Sequence, residues 1–192
     1  MPPIPEHTPW GVLSPTRGPN ETHETCSPYR ASLAEVVHRF GTSEKRRAIL
    51  DGYLRHRNAL REVGLLDAAQ WVDGGFLDRK AEEPGDIDVV TLYRRPPGWT
   101  TLTSRELART RPDLFSPRAA KETYLVEPFF IDLDQEDRRA VVRLVVYWFA
   151  FFSHQRITRA WRALVQVPLA TVDLDASARD ILEGRATYDA ST

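Results

Sequence analysis

The stretch from Trp71 to Val90 constrains the fold more than any other part of the chain. A Gly74-Gly75 pair is followed, after ten residues, by Asp86-Ile87-Asp88 at the head of an apolar run. Ala68 to Asp73 reads as a short strand that stops at the glycines. Asp86 to Tyr93 reads as a second strand, with the turn-forming Glu82-Glu83-Pro84-Gly85 between the two. Side chains alternate along a strand, so Asp86 and Asp88 share one face while Ile87 and its apolar neighbours are free to enter a core. Two carboxylates side by side repel each other unless a cation lies between them, and hard oxygen ligands of this kind suit Mg²⁺ or Mn²⁺.

The rest of the chain fits one core with trimmings. At 192 residues, 42% hydrophobic and 28% charged, it is long enough to bury a substantial interior. The net charge of −1 gives no general attraction to nucleic acid or membranes, and the single cysteine, Cys26, excludes an internal disulfide framework or a multi-thiolate zinc site. No signal-peptide pattern opens the sequence, and the longest apolar stretch, Leu144 to Phe152, is too short to span a bilayer, so a cytoplasmic protein without membrane partners is expected. Seven of the fourteen prolines fall within the first 28 residues. Residues 1–30 therefore read as an extended arm, with Ile4, Trp10, Val12 and Leu13 available to dock it.

Residues 31–170 read as the main domain. Helical spacing covers Ser32–Phe40 and Ser43–Val63, with Ile49, Tyr53, Leu54, Leu60 and Val63 on one side of the second helix and basic residues on the other. A short helix is expected over Ser104–Thr110, a third strand over Tyr124–Leu133, and a long helix over Gln135–His154. That helix is apolar around most of its circumference, which predicts burial against a sheet. Ala163–Leu169 reads as a last strand. Residues 171–192 form a tail with a short helix over Leu174–Gly184.

The Gly74-Gly75 pair and its interval to Asp86-Ile87-Asp88 resemble the nucleotidyltransferase superfamily that includes polymerase beta-type enzymes, whose motif is a Gly-(Gly/Ser) turn, a spacer of similar length and Asp-x-Asp. Phe40-Gly41-Thr42, the segment Tyr147 to Arg156, and Trp161 look like a functionally uncharacterised bacterial branch of that superfamily. That branch commonly has Lys-Gly where this chain has Arg162-Ala163.

The resemblance implies an α/β (α+β) fold, a mixed sheet flanked by helices, and a pair of Mg²⁺ (or Mn²⁺) ions. It further implies transfer of a nucleoside monophosphate, such as an adenylyl group, from a nucleoside triphosphate to a hydroxyl of a protein, an RNA or a small molecule. Gly74 and Gly75 would let backbone N–H groups approach the triphosphate. Asp86 and Asp88 would hold metal, and a third carboxylate on a neighbouring strand would complete the set. Glu127, which opens the apolar run Pro128-Phe129-Phe130-Ile131, is preferred for it, with Asp132 in reserve. Lys80 and Arg79 are candidate phosphate contacts. By analogy of fold, such proteins often belong to toxin–antitoxin or phage-defence pairs.

Two other readings stay open. A chain of this kind can be a catalytically silent module that binds or neutralises a partner. The basic side of the second helix, Lys45, Arg46, Arg47, Arg55, Arg57 and Arg61, is either a solvated surface or a track for an RNA backbone. His154 is expected to cap or hydrogen-bond the end of its helix, and nothing around Cys26 marks a reactive thiol.

Overall fold

A computed structural model describes residues 4–79, 83–155, 158–170 and 172–189. Its fold is α+β: a five-stranded mixed sheet with seven helices among the described residues. The strands are β1 (Tyr29–Arg30), β2 (Ala68–Asp73), β3 (Ile87–Tyr93), β4 (Val126–Asp132) and β5 (Val165–Pro168). They lie in the order β1-β5-β2-β3-β4. β2 is antiparallel to both β3 and β5, while β3 with β4 and β1 with β5 run parallel.

The helices are α1 (Leu33–Phe40), α2 (Glu44–Glu62), α3 (Thr101–Thr110), α4 (Pro112–Phe115), α5 (Pro117–Tyr124), α6 (Arg138–Phe152) and α7 (Val172–Leu182). Their starts follow local chemistry. Ser32, Ser43 and Asp137 each accept a hydrogen bond from a first-turn N–H, from Glu35, Arg46 and Arg139 respectively. Pro112 and Pro117 open α4 and α5, where the missing N–H costs nothing. Those two short helices, in a stretch to which the sequence pattern assigns no element, belong to the crossover that a parallel β3–β4 pair requires. No helix among the described residues is long and apolar enough to cross a membrane.

One face of the sheet is covered by the arm, α1, α2, α4, α5 and α7. Ile49, Leu50, Tyr53, Val72, Phe76, Ile87, Val89 and Val126 are buried there, and a second cluster around Leu60, Tyr93 and Leu114 continues it. The arm docks through Ile4, Val12 and Leu13, all buried, whereas Trp10 stays exposed. Ile4 N–H also donates to the Glu35 carboxylate at 2.5 Å.

The opposite face carries Trp71, Val90, Ile131 and Leu164 under α6. Here the expectation of a buried helix needs correction. Of α6 only Phe152 is fully buried; Leu144, Val145, Trp148 and Phe149 pack on the sheet, while Val142, Val146, Tyr147 and Phe151 face solvent. A single helix on a sheet buries one stripe, however apolar its remaining surface is.

The basic side of α2 also requires correction, because only half of it is solvated and it forms no continuous track. Arg57 is completely buried, donating to both Asp175 oxygens (2.8 and 2.7 Å), Gln70 Oε1 (2.7 Å) and Pro168 O (2.8 Å). Arg61 joins the same carboxylate at 2.7 Å, tying α2 to α7. Arg46 is buried as well, leaving only Lys45, Arg47 and Arg55 of the six exposed.

Candidate functional site

The site lies where β2 ends and β3 and β4 begin. In the antiparallel β2–β3 ladder Asp73 stands opposite Asp88, and in the parallel β3–β4 ladder Asp88 stands beside Glu127. By alternation Asp88 shares a face with Val90, and Glu127 with Phe129 and Ile131, so both carboxylates project on the α6 side. Asp86 immediately precedes β3, two residues from Asp88 and on the same parity. Register thus sets Asp88 beside Glu127, with Asp86 at the head of β3.

It also separates the alternatives for the third carboxylate. Asp132 pairs with Tyr93 at the far end of the same strands, about 16 Å along β4 from Glu127. Its carboxylate is engaged by Arg95 at 2.7 Å and by the Asp134 N–H at 2.9 Å. Glu127 is therefore the acid on the neighbouring strand that shares a site with Asp88.

The glycine pair turns the chain directly over this acid cluster. Gly74 is buried with φ +84°, the left-handed region that a side chain disfavours, and a Cβ placed there would overlap Asp88 Oδ2 and lie 2.9 Å from its Cγ. Gly75 is exposed, and Leu77 and Asp78 N–H groups fold the turn back onto the Gly74 and Gly75 carbonyls at 3.2 Å each. Arg46 from α2 grips the turn, donating to Phe76 O at 2.6 Å and Asp78 O at 2.9 Å. This arginine, read as a surface charge, instead positions the glycine turn. Lys80 lies outside the described residues. Arg79 is exposed and lines a cavity of about 360 Å³ with His7, Arg39 and Arg46.

Beneath the turn sits a buried charge cluster that the sequence did not single out. Arg162 reaches Asp73 Oδ2 and Asp78 Oδ2, each at 3.2 Å, and donates to Phe152 O at 3.0 Å. The departure Arg162-Ala163 is accordingly built into the interior. Two carboxylates face one guanidinium, and Asp73 Oδ1 and Asp78 Oδ1 make no hydrogen bond. Burial pushes Asp73 up to about 8, against the opposing pull of Arg162, and burial raises Asp78 too. The one sequence signal for Asp73 was parity: it falls on the Trp71 face of β2, directly before the glycines.

A family comparison places this chain over residues 5–168 within DUF6932, a family of unknown function. The chain belongs to that family. No curated protein and no solved structure matches it significantly. What this DUF6932 chain does therefore has to be argued from the site itself.

The remaining feature of the site is a lysine. Lys121, in the last turn of α5, places its Nζ 2.5 Å from Asp86 Oδ2 and 3.7 Å from Glu127 Oε2. The contact with Asp86 holds the ammonium above the ordinary lysine range, and the charges of Glu127 and Asp88 add to this. The acids suit a hard divalent cation by chemistry, and the Gly74 backbone leaves room against Asp88 that any side chain would fill. Among the described residues, however, no group of three or more acidic, His or Cys side chains is closed up as a metal cage. Lys121 already neutralises part of the cluster. At the other candidate positions, His154 is exposed, its Nδ1 lying 3.2 Å from Ala150 O at the end of α6, and Cys26 is a free thiol in the arm.

Proposed function

We propose that this chain is a metal-dependent nucleotidyltransferase that moves a nucleoside monophosphate from a nucleoside triphosphate to a hydroxyl of a protein, an RNA or a small molecule. The observation that carries this reading is the alignment of Asp88 with Glu127 across β3 and β4, beside Asp86 and under a glycine turn packed directly against the Asp88 carboxylate. Asp86, Asp88 and Glu127 would hold Mg²⁺ or Mn²⁺, which supplies charge stabilisation for the attacking and leaving oxygens. Gly74 and Gly75 lie against the triphosphate, and Arg46 keeps their turn in place. Glu127 accepts the proton of the acceptor hydroxyl. The hydroxyl oxygen bonds to the α-phosphorus as the bond to pyrophosphate breaks.

A second reading, a catalytically silent binding module of the kind found in toxin–antitoxin or phage-defence pairs, is favoured by the exposed apolar stripe of α6. Val142, Val146, Tyr147 and Phe151 there offer a surface to a partner.

The deciding experiment incubates the protein with each α-labelled nucleoside triphosphate and Mg²⁺ or Mn²⁺, with and without cellular RNA and protein, beside Asp86→Ala/Asp88→Ala. Label transferred by the wild type alone supports the enzyme and identifies nucleotide and acceptor class together. No transfer under any condition, with partner binding unaffected by the double substitution, establishes the binding module.

A further inference from the structure

Resting on the cation-site reading above, we propose that Lys121 sets the affinity of this site for divalent cations, because its ammonium takes the place between Asp86 and Glu127 that a metal ion needs. The three acids carry a formal charge of −3, and without a counter-charge neighbouring carboxylates on adjacent strands destabilise the sheet end. Lys121 is the cation that the fold supplies. It is in contact with Asp86 and within ion-pair distance of Glu127.

The backbone that carries Lys121 is fixed while the side chain is free to leave. α5 ends at Leu125 in the left-handed conformation, φ 59°, and the Leu125 carbonyl accepts from Ile87 N–H at 3.0 Å, which locks the end of α5 to the start of β3. On its other side α5 abuts α2 so closely that a Cβ on Gly52 would overlap Tyr124 O and lie 2.8 Å from Tyr124 C. The Lys121 side chain itself is 48% exposed. A long, half-solvated arm on an anchored helix end can swing into water when a doubly charged ion displaces it, and the ion must overcome that ion pairing in order to bind. Lys121 thereby offsets part of the negative charge of the cluster until a divalent cation is present in sufficient concentration.

The test titrates the full chain with Mn²⁺ alone and follows the free-ion electron paramagnetic resonance signal. It compares wild type, Lys121→Gln, Lys121→Arg and Lys121→Gln/Asp88→Asn, with circular dichroism to check each fold. Lys121→Gln is expected to bind Mn²⁺ about tenfold more tightly, which is the order of effect for a partly exposed charge facing several carboxylates. Lys121→Arg stays close to wild type because it keeps the charge, and Asp88→Asn abolishes the gain. Equal or weaker Mn²⁺ binding by Lys121→Gln, or a gain that persists with Asp88→Asn, overturns the proposal while leaving the cation site standing. Absence of Mn²⁺ binding in every variant overturns both. Failure of nucleotidyl transfer with the Lys121 effect intact removes the proposed reaction alone.

Discussion

Gly74→Ala gives the sharpest test of the geometry at the acid cluster, because its cost divides into two parts with different origins. The first is backbone: φ at Gly74 is +84°, and placing an L side chain in the left-handed region costs about 1–2 kcal/mol. The second is steric. The new Cβ overlaps Asp88 Oδ2 and sits 2.9 Å from Asp88 Cγ, and since Asp88 is laddered to Asp73 on one side and Glu127 on the other, its backbone cannot retreat. The side chain must rotate away instead, at about 0.5–1.5 kcal/mol for a rotamer forced from its well. Together the loss is about 2–3 kcal/mol, read as a lower urea midpoint at unchanged m-value. Only the steric part depends on Asp88. In an Asp88→Ala background Gly74→Ala should therefore cost about 1 kcal/mol less, a coupling that a double-mutant cycle resolves. Equal costs in the two backgrounds would refute the claim that the glycine exists to make room for this carboxylate.

Two further outcomes follow from the interior. His56, in α2, donates from Nε2 to Leu114 O at 2.9 Å and its Nδ1 has no partner; burial pushes it down to about 4 from an ordinary 6.5. The unfolded chain thus takes up a proton that the folded one refuses. Stability should be full above pH 6.5 and fall as pH drops towards 4, by on the order of 3 kcal/mol, and His56→Gln should flatten that limb of the pH–stability curve. Asp175→Ala strips Arg57 of its carboxylate while leaving its guanidinium buried, so chemical denaturation should show a loss of about 3–5 kcal/mol. A loss under about 1 kcal/mol would mean that water reaches Arg57.

The sequence was most legible where polarity alternates on a strand and punctuation bounds it. β2, β3 and β4 emerge within a residue or two of their ends. Glu127 falls in register with Asp88 because each acid heads or nearly heads an apolar run of similar length and the two runs lie parallel. The helices at Pro112 and Pro117 were hidden for a local reason: proline reads as a breaker, yet at a first helical position it is harmless. Missing α5 meant missing Lys121, and no spacing rule could have recovered it, since Lys121 meets Asp86 only because α5 is locked to both β3 and α2.

The errors on charge and polarity share one cause. Arg46 and Arg57 resemble the exposed arginines around them, and the difference lies in what the fold brings opposite: the carbonyls of the glycine turn for one, Asp175 of a helix more than a hundred residues away for the other. α6 shows the converse. Its apolar residues surround the axis, which in isolation argues for burial, but the sheet offers it only one face to cover. A side chain's pattern in the sequence states what environment it would tolerate, and the partner brought opposite by topology decides which environment it receives. Asp88 and Glu127 escape this ambiguity because they are set by strand register, the one long-range relation that alternation and run length prefigure.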